Sequence, residues 1–147
     1  MLAVCGVVVA LDQATKAAVV ASLEPGERVD VALGFELARV TNSGIAFGLL
    51  NDVGKEPVLA ITGGGLALVI GWFALAAATP GLWLGIGLLV GGALGNLADR
   101  IRDDGVTDFL DPPLWPAFNL ADVAITAGVA VVALIALSAP AKTPAEP

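Results

Sequence analysis

Histidine is absent from this chain of 147 residues, and cysteine occurs once, as Cys5. Without histidine the chain cannot build a Ser-His-Asp triad, a Cys-His pair or a His-ligated zinc site. A single cysteine also excludes an intramolecular disulfide. We therefore expect no metal and no cofactor, and any chemistry must use carboxylates, amides, hydroxyls, lysine or arginine.

Charged residues are scarce as well, at 14% of the chain, where an ordinary globular domain has about 25%. Hydrophobic residues make up 57% and the mean hydropathy is +0.88. Because this apolar excess lies in long uncharged runs, it is typical of a chain surrounded by membrane lipids. The net charge of −7 leaves no basic stripe that could follow a phosphate backbone, so we expect no nucleic-acid partner.

Four segments are long and apolar enough to cross a bilayer, which requires about 20 residues per helix. The longest charge-free run, 57–98, is divided by a turn signal around Pro80, since proline and glycine break a helix. The sequence thus predicts a mainly α integral membrane protein in one domain, 1–147. Its predicted spans are 1–23, 56–78, 81–100 and 118–138.

Two polar insertions separate the spans, and a short tail follows them. Alternating apolar residues in 24–55 indicate short strands, whereas the proline-rich segment 101–117 is predicted to be a loop. The tail, 139–147, is rich in proline and alanine and is predicted to be disordered. With four spans, both insertions emerge on one side, and counting lysine and arginine assigns that side to the cytoplasm.

Several polar side chains fall inside the predicted spans, where each ionisable group costs roughly 2.5–3.5 kcal/mol and needs a partner or a task. Asp12 and Lys16 are four residues apart on one helix and can form an ion pair. Asn96 and Arg100 share a helix face by the same spacing. Asp99 and Arg100 end the third span, where a cation is favoured by the helix dipole.

Asp108 and Asp122 stand apart from the other acidic residues. Asp108 has apolar neighbours, and Asp122 opens the last span, three residues after Asn119. Two carboxylates brought together at the membrane surface cannot both ionise cheaply, so one keeps a proton and the pair supplies an acid and a base. Such a dyad can activate water and protonate a leaving amine. The alternative is that both carboxylates cap helix ends.

Five polar blocks, taken in order within four spans, resemble the motifs of the lipoprotein signal peptidase family, the type II signal peptidases of bacteria. Each block alone is weak, but the five together are highly specific, and the resemblance extends over 11–126. The blocks are Asp12 to Lys16, Thr41 to Gly48, Gly91 to Arg100, Val106 to Phe109 and Phe118 to Asp122.

This resemblance implies an aspartic endopeptidase that removes the signal peptide from diacylglyceryl-modified prolipoproteins, cleaving N-terminal to the lipidated cysteine. It implies that Asp108 and Asp122 are catalytic. The residues that it assigns to substrate binding are Asn42, Gly44, Asn96, Arg100 and Asn119, and those that it assigns to structural support are Asp12, Lys16 and Asp99.

The resemblance also implies a location, namely the bacterial cell membrane, with the active site near the extracytoplasmic face and both termini in the cytoplasm. The first insertion is then a small extracytoplasmic β-sheet cradle between helices 1 and 2, and the second a short loop between helices 3 and 4. This contradicts the charge count above, and we follow the motifs because five blocks outweigh a count decided by four residues. We expect a monomer.

Two other functions remain to be weighed against a protease. A small proton-coupled transporter or channel would need its charged residues on one continuous path through the bilayer; the residues available for it are Asp12, Lys16, Asp99, Arg100 and Asp122. A helical membrane scaffold would need no chemistry at all. A transporter that relays protons requires carboxylates at opposite membrane faces, whereas the protease requires Asp108 and Asp122 to lie side by side.

Overall fold

The chain forms four long helices and one small antiparallel sheet. A computed structural model describes residues 1–44, 55–76, 79–103 and 105–138. The elements are, in order, α1 (Leu2–Ser22), β1 (Arg28–Ala32), β2 (Phe35–Asn42), α2 (Lys55–Ala76), α3 (Leu82–Arg102), β3 (Val106–Asp111) and α4 (Leu120–Ser138). By length and composition, each of the four helices can cross a membrane. The predicted four-helix membrane fold with a small sheet is confirmed, while the tail, 139–147, lies outside the described residues.

Helix α3 lies at the centre of the helical layer and packs against the other three helices. Within its membrane-spanning stretch 56% of the residues are buried in the protein, against 6% in α2. Helix α2 is therefore the most peripheral helix, and most of its apolar side chains face outward. This matches a chain whose outer apolar surface is covered by lipid.

Glycines on two faces of α3 allow its neighbours to approach closely. A Cβ at Gly91 would lie 2.8 Å from the Val8 side chain of α1. On the other face, a Cβ at Gly92 would overlap the carbonyl oxygen of Ala121 in α4. Between membrane helices, small residues permit the backbone contact that replaces the missing hydrophobic driving force.

The sheet has the strand order β1-β2-β3, and both of its strand pairs are antiparallel. Strands β1 and β2 form a hairpin whose two turn residues, Leu33 and Gly34, have φ values of +54° and +79°. Two successive positive φ angles are the mark of the tight turn that matches strand twist. The hairpin docks on the end of α1 through Arg39, whose Nη1 donates to the Leu23 carbonyl at 2.9 Å.

The third strand corrects the predicted loop over 101–117, because Val106–Asp111 pairs with β2. Proline signals after Asp111 favoured a loop, and the strand's partner lies more than 60 residues earlier in the chain, so no local pattern reveals the pairing. In this pairing Val40 lies opposite Asp108 and Asn42 opposite Val106. The two insertions therefore form one sheet, and they lie on the same side of the helical layer.

Gly95 offers a direct test of the close helix packing. A Cβ there would lie 2.5 Å from Oδ2 of Asp12, so Gly95→Ala must displace that carboxylate or separate the helices. We expect a destabilisation of roughly 1–3 kcal/mol, the usual cost of overpacking, seen as a lower midpoint in thermal unfolding followed by tryptophan fluorescence in detergent.

The matched control is Gly6→Ala on α1, where an added Cβ meets nothing within 4 Å. This substitution should leave the midpoint unchanged or raise it slightly, because alanine favours a helix over glycine. Equal midpoints for the two variants would show that α3 does not approach α1 as closely as described.

Candidate active site

Asp108 lies in the middle of β3 and is 3% exposed. Each of its carboxylate oxygens accepts one hydrogen bond from an amide side chain. Asn119 Nδ2 donates to Oδ1 at 2.6 Å, and Asn42 Nδ2, from the neighbouring strand, donates to Oδ2 at 3.0 Å. The sheet register therefore brings Asn42 to this carboxyl, although the two residues are 66 positions apart in the chain.

Asp122 lies in the first turn of α4 and forms a reciprocal cap with Asn119. The Asn119 backbone N–H donates to Asp122 Oδ2 at 3.2 Å, and the Asp122 backbone N–H donates to Asn119 Oδ1 at 3.1 Å. This is a capping box, in which two free N–H groups of a helix end are satisfied together. The second oxygen, Oδ1, accepts from Asn96 Nδ2 of α3 at 2.9 Å.

The two carboxyl groups are thus held by one shared residue, Asn119, and they line the same cavity of about 380 Å³. They do not lie at opposite membrane faces, so the proton relay is not favoured. The capping alternative holds for Asp122 alone, because Asp108 is in a strand. Asp122 also faces the cavity, so its cap does not exclude a chemical role.

Arg100 brings a cation to this cavity from the last turns of α3. Its Nη2 donates to the Gly44 carbonyl at 2.6 Å, and its Nη1 lies 3.4 Å from the Asn96 carbonyl. Its Nε is buried and has no hydrogen-bond partner among the described residues. Gly44 in turn donates its backbone N–H to Asn42 Oδ1 at 3.1 Å, which leaves the Asn42 amide N–H₂ facing Asp108. The rest of the block that contains Asn42 and Gly44, residues 45–48, lies outside the described residues.

The residues assigned to structural support form a buried ionic cluster that contacts the cavity residue Asn96. Lys16 Nζ lies 2.9 Å from Asp12 Oδ2 and 2.8 Å from Asp99 Oδ2. Asp12 also accepts a hydrogen bond from the Ala121 backbone N–H at 2.9 Å, which fastens the start of α4 to α1. The ion pair between Asp12 and Lys16 expected from their spacing is present.

Burial raises the pKa of Asp108 to about 6, from an ordinary value of 3.8. The amide hydrogen bond from Asn42 opposes this shift, and the negative charge of Asp122 adds to it. A carboxyl with this pKa can hold or release a proton near neutral pH, as an acid–base catalyst must. Among the described residues, acidic and cysteine side chains do not gather in threes as a metal site would require.

Several residues of the site were not assigned a role from the sequence. Gln13 Nε2 donates to Asp99 Oδ1 at 2.8 Å, and its polarity within an apolar helix was a usable signal. Thr126 follows Asp122 by one helical turn, so its position on the cavity face could also have been inferred. Thr62 of α2 and Trp115 line the cavity without a comparable signal.

The pKa of Asp108 provides a test of this arrangement that does not depend on any activity. The protonated carboxyl should titrate with a midpoint near pH 6. Asp122→Asn should lower the midpoint because it removes a neighbouring negative charge, and Asn42→Ala should raise it because it removes a donor to the ionised form. Infrared spectroscopy of the protonated carboxyl band measures both shifts, and shifts of the opposite sign would contradict the geometry.

Comparison with known proteins places the chain in a family. The family model described as signal peptidase (SPase) II matches residues 4–138. The lipoprotein signal peptidase of Pelotomaculum thermopropionicum is 44% identical over 135 aligned residues, covering 88% of this chain and 86% of that protein. The corresponding protein of Moorella thermoacetica is 41% identical over 130 residues, covering 84% of this chain and 83% of that protein.

Solved structures agree with these relatives. A bacterial membrane enzyme determined by the in meso method at 2.3 Å resolution superposes with a TM-score of 0.83 at 29% identity, covering 98% of this chain and 92% of the other. A second such enzyme, determined at 1.9 Å resolution, gives a TM-score of 0.78 at 29% identity, covering 93% and 92%. The family indicated by the five polar blocks is thereby confirmed: the chain belongs to the signal peptidase II family.

Proposed function

We propose that this chain is an aspartic endopeptidase that removes the signal peptide from diacylglyceryl-modified prolipoproteins, cleaving N-terminal to the lipidated cysteine. Membership of the family supports the broader statement, that it is a peptidase of prolipoproteins. The aspartic mechanism rests on one observation: Asp108 and Asp122, which come from different elements, share Asn119 and face one cavity.

In this proposal the two carboxyl groups divide the work of an acid and a base. The ionised carboxylate takes a proton from a water molecule, whose oxygen then forms a bond to the carbonyl carbon of the scissile peptide. The protonated carboxyl donates to the carbonyl oxygen as its negative charge develops. When the carbon–nitrogen bond breaks and the carbonyl re-forms, one hydroxyl of the tetrahedral intermediate returns its proton to the carboxylate that had donated one. The proton taken from water is passed to the leaving amine, so the dyad returns to its starting state.

Polar side chains around the dyad supply hydrogen bonds to an extended substrate backbone. Arg100 lines the cavity, and its buried Nε has no hydrogen-bond partner among the described residues, so we assign this side chain to binding a substrate carbonyl. Asn42, Asn96 and Asn119 direct N–H groups at the dyad, and we assign them to positioning the carboxyls as well as the scissile bond. Gly44 bonds to two of the cavity residues, since its backbone N–H donates to Asn42 and its carbonyl accepts from Arg100, so we assign it to holding these two side chains in place for the substrate.

Entry from the bilayer is proposed to occur between α2 and α4. The cavity is bordered by Thr62 on α2 and by Ile125 and Thr126 on α4. Helix α2 packs mainly on α3 and is the least buried of the four spans. A lipid-anchored substrate can therefore slide in laterally while its acyl chains stay among apolar helix faces.

The site is proposed to open at the extracytoplasmic face, with both termini in the cytoplasm. Since β2 and β3 pair, the two insertions must lie on the same side of the membrane. The resemblance of the five polar blocks to the family is the ground on which that side is assigned to the exterior. The chain is proposed to act as a monomer, because the described residues of one copy hold both carboxyls.

The dyad predicts that Asp108→Asn or Asp122→Asn abolishes processing. Each substitution removes either the proton donor or the base, a loss worth about 10²- to 10⁴-fold in rate. The measurement is a gel-shift assay with purified, diacylglyceryl-modified precursor. Asp111→Asn is the matched control, because Asp111 lies on the same strand but pairs with Arg28 at the outer end of the sheet, and this variant should cleave normally. Cleavage by both dyad variants near the wild-type rate would refute the aspartic mechanism.

The proposed orientation predicts opposite labelling of two single cysteines. In a Cys5→Ala background, Asp30→Cys on β1 should react with a membrane-impermeant maleimide in intact cells. Thr79→Cys, in the turn before α3, should react only after the cells are permeabilised. Both positions are exposed, so accessibility differs only through the membrane. The reverse labelling pattern would support the charge count instead of the motifs.

A further inference from the structure

All three hydrogens of the Lys16 ammonium group are directed at buried protein partners. Its side chain is 3% exposed and its ammonium group has three hydrogens. Two of them are directed at Asp12 and Asp99, and the third is donated to Asn96 Oδ1 at 2.9 Å. Since an ammonium can only donate, every acceptor that it meets must present an oxygen.

This contact determines which way the Asn96 amide faces. With its oxygen held by Lys16 and also by Asn119 Nδ2 at 3.1 Å, the amide must turn its N–H₂ group away from both. That group donates to Asp122 Oδ1 at 2.9 Å. If the amide were rotated by 180°, it would present oxygen to a carboxylate and N–H to an ammonium, and both contacts would become repulsive.

We propose that Lys16 is a positioning residue for the dyad: it fixes the Asn96 amide so that an N–H is always directed at Asp122. This deepens the proposed function, on which it rests, because it assigns to Lys16 a role in the geometry of the reaction beyond pairing two helices. The contacts run from Lys16 on α1 through Asn96 on α3 to Asp122 on α4.

A second cation near the cluster allows the positioning role of Lys16 to be distinguished from its neutralisation of Asp99. Asp99 has a second cationic partner, Arg102, whose Nη2 lies 3.0 Å from Oδ1. Arg102 is 61% exposed and has no described contact with Asn96. Removing Arg102 therefore takes one cation from the same carboxylate while leaving the Asn96 amide in place.

The electrostatic effect of Lys16 on the dyad has a definite sign. Burial raises the pKa of Asp108, and the positive charge of Lys16 acts in the opposite direction. Among the described residues, the other charged groups around Asp108 are Asp122 on α4 and Arg100 on α3. Replacing Lys16 by a neutral residue should accordingly shift the Asp108 titration to higher pH.

The test compares Lys16→Met, Lys16→Arg and Arg102→Met in the full chain, with diacylglyceryl-modified precursor as substrate. We expect Lys16→Met to lower kcat by about 100-fold, the cost of a small misplacement of a catalytic group, with KM unchanged and the Asp108 infrared midpoint raised. Lys16→Arg, which keeps the charge and the donors, should restore most of kcat. Arg102→Met should keep the wild-type kcat and midpoint.

A paired variant, Asp12→Asn with Lys16→Met, keeps the test valid if Lys16→Met alone does not fold, since it removes one anion with the cation. It should show the same loss of kcat. Wild-type kcat and midpoint in the folded Lys16 variants would overturn the positioning role, as would an equal loss in Arg102→Met. Failure of the wild-type protein to cleave the precursor would instead overturn the proposed function, and the infrared midpoints would still report on Lys16.

Discussion

Charge cannot remain unpartnered between apolar helices, and this constraint organises the whole molecule. Asp12, Lys16 and Asp99 are 0%, 2% and 1% exposed, and each is satisfied by the others. Removing one partner of such a buried ion pair leaves an uncompensated charge, which lowers the free energy of unfolding by several kcal/mol. Because the partners come from α1 and α3, and Asp12 also binds the backbone of α4 at Ala121, the cluster sets the relative position of three helices.

Close helix approach makes this cluster possible, because side chains as short as aspartate must reach a neighbouring helix. Gly95 of α3 lies directly against the Asp12 carboxylate and leaves no room for a Cβ. The glycines of α3 thus leave room for the polar cluster as well as for close apolar packing between the helices. One turn earlier on the same side of α3, Gly92 meets α4 at Ala121, one residue before Asp122.

The two carboxyl groups of the site lie in different surroundings, one on β3 and the other at the start of α4. Asp108 is buried in a strand, where desolvation raises its pKa to about 6, whereas Asp122 lies at a helix start, where it accepts a hydrogen bond from the Asn119 backbone N–H. Asp108 comes from the second insertion, and Asn42, which donates a hydrogen bond to it, comes from the first. These differing surroundings support the proposal that the two carboxyls divide the roles of acid and base, with no histidine needed.

The sequence by itself determined the membrane class, the four spans, the ion pair between Asp12 and Lys16, and the family, because uncharged runs, helical spacing and ordered motifs are all local signals. It also singled out Asp108 and Asp122 as unusual carboxyls, although their catalytic role remains a proposal. Only the tertiary structure decided that 106–111 is a strand, that Asn42 reaches Asp108, and that Lys16 orients the Asn96 amide. Each of these depends on contacts between residues more than 60 positions apart, and sequence periodicity carries no information about which distant groups will meet.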